Sequence, residues 1–129
     1  MILVDSSVWI AYLKGSPIPQ VEKLNQALQN DFVLMCEVVS MEVLRGISND
    51  QQYKKLKNLF LTLEQVEVSY KNAWMESVDW YRTIRKEGYT VRYQMDILLA
   101  LFCHKSGVAL LHNDRDFDLM NEFYPFKMI

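Results

Sequence analysis

The chain has 129 residues, half of them hydrophobic, with 14 basic and 16 acidic side chains and a formal net charge of −2. That length suits one domain, 1–129, with a real core, and the slight acidity excludes a wholesale polyanion binder. No run reaches about 18 uninterrupted apolar residues, which excludes a membrane-spanning helix. The apolar N-terminus has no basic leader and is broken by Asp5, so a cytoplasmic location is expected.

Ile2–Val4 is a short apolar run suited to a buried strand that ends at Asp5. Ser6 or Ser7 then caps a helix carrying Val8, Trp9, Tyr12 and Leu13, and Gly15 ends it. Pro17 and Pro19 open a second helix with Val21, Leu24 and Leu28 on one face. Asp31 leads into FVLMC, a second buried strand, followed by a short helix over Ser40–Ile47. Asn49 and Asp50 start another helix, in which Tyr53, Leu56, Leu59, Phe60 and Leu63 repeat at helical spacing.

Val66 and Val68 alternate like a short strand. A long amphipathic helix is expected from Tyr70 to Glu87, stopped by Gly88, and a nearly all-apolar helix over Gln94–Lys105, ended by Gly107. VALLH is a third clear strand, DRDFD opens a last helix, and Pro125–Ile129 adds an edge strand. Strands alternating with helices imply an α/β sandwich around a mainly parallel sheet.

Cys36 and Cys103 lie in apolar runs and read as buried free thiols. There is no CxxC, and neither His104 nor His112 has a partner at zinc-ligand spacing. The acids are more informative. In α/β sheets, sites form beyond the carboxyl ends of strands. Asp5 follows the first strand, Asp114 follows VALLH, and Asp96 lies at the head of the buried helix, all suited to one sheet edge.

Each acid also has an ordinary structural role. Asp5 can cap a helix, Glu42 can pair with Arg45, Asp96 can answer the helix dipole, Asp114 can form a turn, and Asp118 can be solvated. Together they are harder to explain that way. A carboxylate at the head of DILLALF is costly to desolvate, and several converging carboxylates repel one another. A divalent cation removes that conflict, and an all-oxygen site favours Mg²⁺ or Mn²⁺ over zinc. The spacing leaves open whether one ion or two would bind.

Setting aside Asp5, Glu42, Asp96, Asp114 and Asp116 turns the net charge from −2 to +3. Arg82, Arg85, Lys86 and Arg92 cluster in YRTIRKEGYTVR, a basic flank suited to RNA phosphates. An exposed helix face explains the same residues as well.

The segments ILVDSSVWIAYL, SMEVLRG and MDILLALFCHKSGVALLHNDRDF, in that order and across nearly the whole chain, resemble PIN-domain proteins. Among these the chain is most similar to VapC-type toxin ribonucleases of toxin–antitoxin pairs. The resemblance implies a three-layer α/β/α sandwich and a metal-dependent endoribonuclease acting on RNA, tRNA prominently. It implies Asp5, Glu42, Asp96 and Asp114 as catalytic residues, with Asp5, Asp96 and Asp114 holding the metal. Ser6 is implied as a neighbouring hydroxyl and Asp116 as an accessory acid. His112 departs from the pattern, standing where many members carry threonine.

A homodimer and a small VapB-like antitoxin partner are also implied, the latter reaching the acidic site along a hydrophobic groove. Trp9, Tyr12, Trp74, Trp80 and Tyr81 suit such a groove or a dimer face, although aromatic residues at helical spacing are more often core. Two other classes fit less well. A receiver-like phosphoacceptor domain needs paired acids after the first strand, where Ser6 and Ser7 stand here. A PIN-like interaction module without catalysis is expected to have lost acids, and all four positions are filled.

Overall fold

Short runs of Val, Leu and Ile favour strands that can be buried on both faces, and three of this chain's four strands, ILV, VLMC and ALL, are of that kind, while the edge strand EQV is largely exposed. The computed structural model describes all 129 residues. Its strands are β1 (Ile2–Val4), β2 (Val33–Cys36), β3 (Glu64–Val66) and β4 (Ala109–Leu111). They form one all-parallel sheet in the order β3-β2-β1-β4. Parallel neighbours need crossover connections, and helices supply them. These are α1 (Ser6–Leu13), α2 (Pro19–Gln29), α3 (Glu37–Leu44), α4 (Asp50–Thr62), α5 (Ala73–Lys86), α6 (Gln94–Ser106) and α7 (Arg115–Phe123).

The architecture is a three-layer α/β/α sandwich, in which the main helix–helix contacts join α1 to α2 and α3, α3 to α4, and α6 to α5 and α7. One cluster of 28 buried hydrophobic residues runs through it. Trp9 anchors this cluster, fully buried, with its ring 4.8 Å from that of Phe60 and 5.8 Å from that of Tyr12. Burial of such a ring is among the largest single apolar contributions a side chain makes. Cys36 and Cys103 are buried free thiols. No helix is long and apolar enough to cross a membrane.

Strand order places the functional edge. The chain leaves β1 toward β2 on one side, while β4 pairs with β1 on the other. Such a switch point opens a crevice at the carboxyl ends of the two strands. Val4 pairs with Leu111, and the Asp5 amide donates to the Leu111 carbonyl at 2.9 Å. The residues that follow β1 and β4 therefore emerge side by side. α6 ends at Gly107, whose φ of 76° lies in the left-handed region that glycine reaches without strain.

Several element bounds differ from the sequence expectation, each for a tertiary reason. Of the two capping roles open to the sequence, Asp5 takes the cap of α1, and Ser6 and Ser7 fall inside the helix. α3 begins at Glu37, not Ser40, because Glu37 Oε1 accepts the backbone N–H groups of Val68 and Ser69 and turns the chain directly out of β2. β3 takes Glu64–Val66 because its register follows β2, Leu34 opposite Glu64 and Cys36 opposite Val66; Val68 is buried but has left the sheet. α5 starts at Ala73 because Lys71, at φ 53°, cannot continue a right-handed helix back to Tyr70. The expected edge strand at Pro125–Ile129 shrinks to one parallel bridge, Leu110 to Met128.

Candidate active site

Four segments deliver the acids. Asp5 leaves β1 and caps α1, with Oδ2 accepting the Ser7 N–H at 3.1 Å. Its other oxygen, Oδ1, is buried and has no hydrogen-bond partner. Glu42 lies on α3, and the expected pair with Arg45 does not form; Glu42 Oε2 instead accepts the Ser6 hydroxyl at 2.7 Å. Asp96 sits in the first turn of α6 and is buried without a hydrogen bond to its carboxylate. Asp114 follows β4 and caps α7, with Oδ1 accepting the Asp116 N–H at 2.9 Å.

These four acids line one cleft of about 320 Å³, together with Ser6, Ser7, Ile10, Arg45 and Tyr93. Asp116, buried on the first turn of α7, lies beside it, and oxygens of Asp96, Asp114 and Asp116 come within 4.8 Å of one another. For Asp5 and Asp114, capping a helix and lining the cleft thus coexist. In Asp5 one oxygen serves the helix and the other faces no partner.

The electrostatics follow from burial. Desolvation pushes the Asp96 carboxyl up to about 8, and repulsion from Asp5, Glu42, Asp114 and Asp116 adds to it. Burial also raises Asp5, opposed by hydrogen bonds from Ser7. A protonated Asp96 relieves the repulsion in the metal-free chain, and a cation relieves it better. The unpartnered Asp5 oxygen, the unpartnered Asp96 carboxylate and an all-oxygen donor set fit a hard divalent ion.

The other expected residues are distributed unevenly. Arg82, Arg85 and Lys86 are exposed on the last turns of α5. Arg92, expected in the same basic flank, instead turns to the acids: Nη2 donates to Asp114 Oδ1 at 2.8 Å and Nε to Asp116 Oδ2 at 3.1 Å. Asp116 and Asp114 raise its guanidinium above the usual arginine range. Sequence reasoning missed this contact because nothing local links position 92 to positions 22 and 24 residues further on.

His112, the departure from the family pattern, accepts the Asp114 N–H through Nδ1 at 3.2 Å, leaving Nε2 near Met128 and Asp118. It supports the backbone of the fourth acid rather than entering the cleft. Among the aromatic residues, Trp9 and Trp80 are core, Tyr12 and Tyr81 are half-buried, and Trp74 is exposed.

The sequence matches the family profile described as "PIN domain" over residues 2–122. It is 30% identical over 122 residues to VapC ribonuclease Mb1587 of Mycobacterium bovis, covering 93% of this chain and 91% of that protein. Ribonuclease VapC11 of Mycobacterium tuberculosis shows the same identity and coverage. Ribonuclease VapC1 of Haemophilus influenzae is 25% identical over 126 residues, covering 93% of this chain and 92% of that protein. The fold is similar to the crystal structure of VapBC2 from Rickettsia felis bound to a DNA fragment from their promoter. There the TM-score is 0.71 at 16% identity, covering 100% of this chain and 98% of that one.

Proposed function

The chain belongs to the PIN domain family and, within it, to the VapC ribonucleases, and we propose that it is a Mg²⁺- or Mn²⁺-dependent endoribonuclease, the toxin of a toxin–antitoxin pair. Its substrate on this reading is a structured RNA, tRNA foremost, whose exposed loop nucleotides offer recognisable bases. One observation carries the reading: carboxylates from four segments converge on a cleft where a buried Asp5 oxygen and the Asp96 carboxylate have no partner inside the chain.

Asp5, Asp96 and Asp114 would hold the cation, which when bound lowers the pKa of a water and stabilises charge on the leaving oxygen. Glu42 is fixed by the Ser6 hydroxyl through Oε2, which leaves Oε1 to take a proton from the attacking water. Asp116 acts as an accessory acid through its grip on Arg92. Arg82, Arg85 and Lys86 meet RNA phosphates outside the cleft, where their exposed charges are available.

The antitoxin partner also has a route on this reading. A cleft of about 720 Å³ between α1 and α4 is lined by Tyr12, Leu13, Leu56 and Leu59. It shares Leu13 and Gln52 with a second cleft, which in turn shares Ile10 and Glu42 with the acidic one. An extended segment laid along this path would bring a basic side chain to the acids. A homodimer is proposed with it, using the exposed Trp74, Met75 and Val78 of α5.

The test is cleavage of total RNA and of a tRNA pool by purified protein, with Mn²⁺ or Mg²⁺ and with EDTA, beside Asp96→Asn. Discrete fragments that vanish with EDTA and in the variant are expected, and their ends identify the substrate. Equal cleavage by the variant would sink the assigned site. Folded protein that binds Mn²⁺ but cleaves neither pool would favour an interaction module.

A further inference from the structure

Arg92 stands in the turn between α5 and α6, four residues before Asp96, with its side chain about half exposed. It makes three contacts to two acids. Nη2 reaches Asp114 Oδ1 at 2.8 Å, Nε reaches Asp116 Oδ2 at 3.1 Å, and the Arg92 backbone N–H reaches that same Asp116 oxygen at 3.2 Å. The guanidinium also lies 5.6 Å from the centre of the Tyr93 ring. A guanidinium is planar and permanently charged, so it can bridge two carboxylates in a fixed fork, which an ammonium cannot.

The bonds it makes are selective. Oxygens of Asp96, Asp114 and Asp116 lie within 4.8 Å of one another, close enough to hold a cation, and Arg92 already binds two of these three acids. Both hydrogen bonds to Asp114 fall on Oδ1, from Arg92 and from the Asp116 amide, leaving Oδ2 free. Both bonds to Asp116 fall on Oδ2. Asp5 Oδ1, Glu42 Oε1, the Asp96 carboxylate, Asp114 Oδ2 and Asp116 Oδ1 are left without a partner, so Arg92 engages one oxygen each of Asp114 and Asp116 and leaves the other open.

We propose that Arg92 is a built-in cation occupying the place of a second metal ion: it neutralises the Asp114–Asp116 pair, orients Asp114, and confines the divalent ion to Asp5, Asp96 and Asp114. The inference rests on the metal-site reading above. Arg92 is on this account a positioning residue that sets how many ions the cleft takes. Orienting partners of this kind tune metal sites through the ligands they hold.

The test counts Mn²⁺ bound per chain, by calorimetric titration and by electron paramagnetic resonance of the free ion. The proteins are wild type, Arg92→Gln, Arg92→Lys and the double variant Arg92→Gln/Asp116→Asn, each checked for folding by circular dichroism. Wild type should bind one Mn²⁺ and Arg92→Gln two, and the double variant should return to one. Arg92→Lys should take the second ion more weakly than Arg92→Gln, because one ammonium replaces the fork only in part. If Arg92→Gln does not fold, Arg92→Ala is counted in its place: a second ion supports the proposal, and a single ion at wild-type affinity overturns it.

Folded Arg92→Gln with a single ion at wild-type affinity, or wild type with two, overturns the role of Arg92 and leaves the metal-site reading standing. Absence of Mn²⁺ binding in every protein overturns both. The counts do not depend on cleavage, so a protein inactive on the chosen RNA still decides between these outcomes.

Discussion

Two groups of carboxylates meet at the carboxyl ends of β1 and β4, and they resolve the same repulsion differently. Asp114 and Asp116 share Arg92, a cation supplied by the chain itself. Asp5, Glu42 and Asp96 have no ion pair; Asp5 and Glu42 take one hydrogen bond each, from the Ser7 amide and the Ser6 hydroxyl, and Asp96 takes none. The difference separates acids the chain itself neutralises from acids it does not, with Asp114 both paired to Arg92 and lining the cleft. The paired group caps α7 and ties the α5–α6 turn to it, whereas the unpaired group stores a charge conflict that only a proton or an external cation removes.

The largest expected effect comes from the centre of the unpaired group. Asp96→Asn should lower cleavage about a thousandfold, the equivalent of several kcal/mol of lost transition-state stabilisation. The same variant, free of metal, should melt no lower than wild type at pH 8, because it removes a buried carboxylate that repels its neighbours. Loss of activity together with a large loss of melting temperature would instead assign Asp96 to the scaffold.

Ser6→Ala should be smaller. It removes the hydroxyl that fixes Glu42 and should weaken cleavage roughly 10- to 100-fold, the usual range for a group that orients a site residue. Rescue by Ser6→Thr, which restores the hydroxyl, separates orientation from packing.

The pH dependence of stability sharpens the contrast further. The folded chain without metal holds a proton on Asp96 up to about pH 8, while the unfolded chain releases it near 3.8. Folding therefore takes up a proton between those values, so melting temperature should fall as pH rises from about 4 to about 8. Asp5, also raised, adds to the same slope. Saturating Mn²⁺ replaces the proton and should flatten it, and a slope unchanged by Mn²⁺ would contradict a cation at these acids.

The smallest effect belongs outside the cleft. Arg82→Gln should weaken RNA binding only a few-fold and reduce the salt dependence of log K by about 0.7, the value for one phosphate contact to a single strand. An unchanged salt slope would return Arg82 to the ordinary exposed face of α5.

Much of this contrast was legible in the sequence, and one part was not. Asp5 after ILV, Asp114 after VALLH and Asp96 at the head of DILLALF announced a shared edge, because strand ends and a buried helix constrain where those side chains emerge. Their order among the other motifs carried the family. The partition into paired and unpaired acids was hidden, because it depends on Arg92 crossing from the α5–α6 turn to α7. By local pattern Arg92 belonged with Arg82, Arg85 and Lys86. The same limit explains α3 and β3, whose bounds are set by Glu37 reaching Val68 and by register against β2. Local propensity does not encode such contacts.

Anomalous diffraction from crystals of the protein grown with Mn²⁺ would locate the cation among these acids directly. One peak is expected among Asp5, Asp96 and Asp114, with Arg92 still bridging Asp114 and Asp116. A peak between Asp114 and Asp116 with Arg92 displaced, or no peak at saturating Mn²⁺, would contradict this division of the site into paired and unpaired acids.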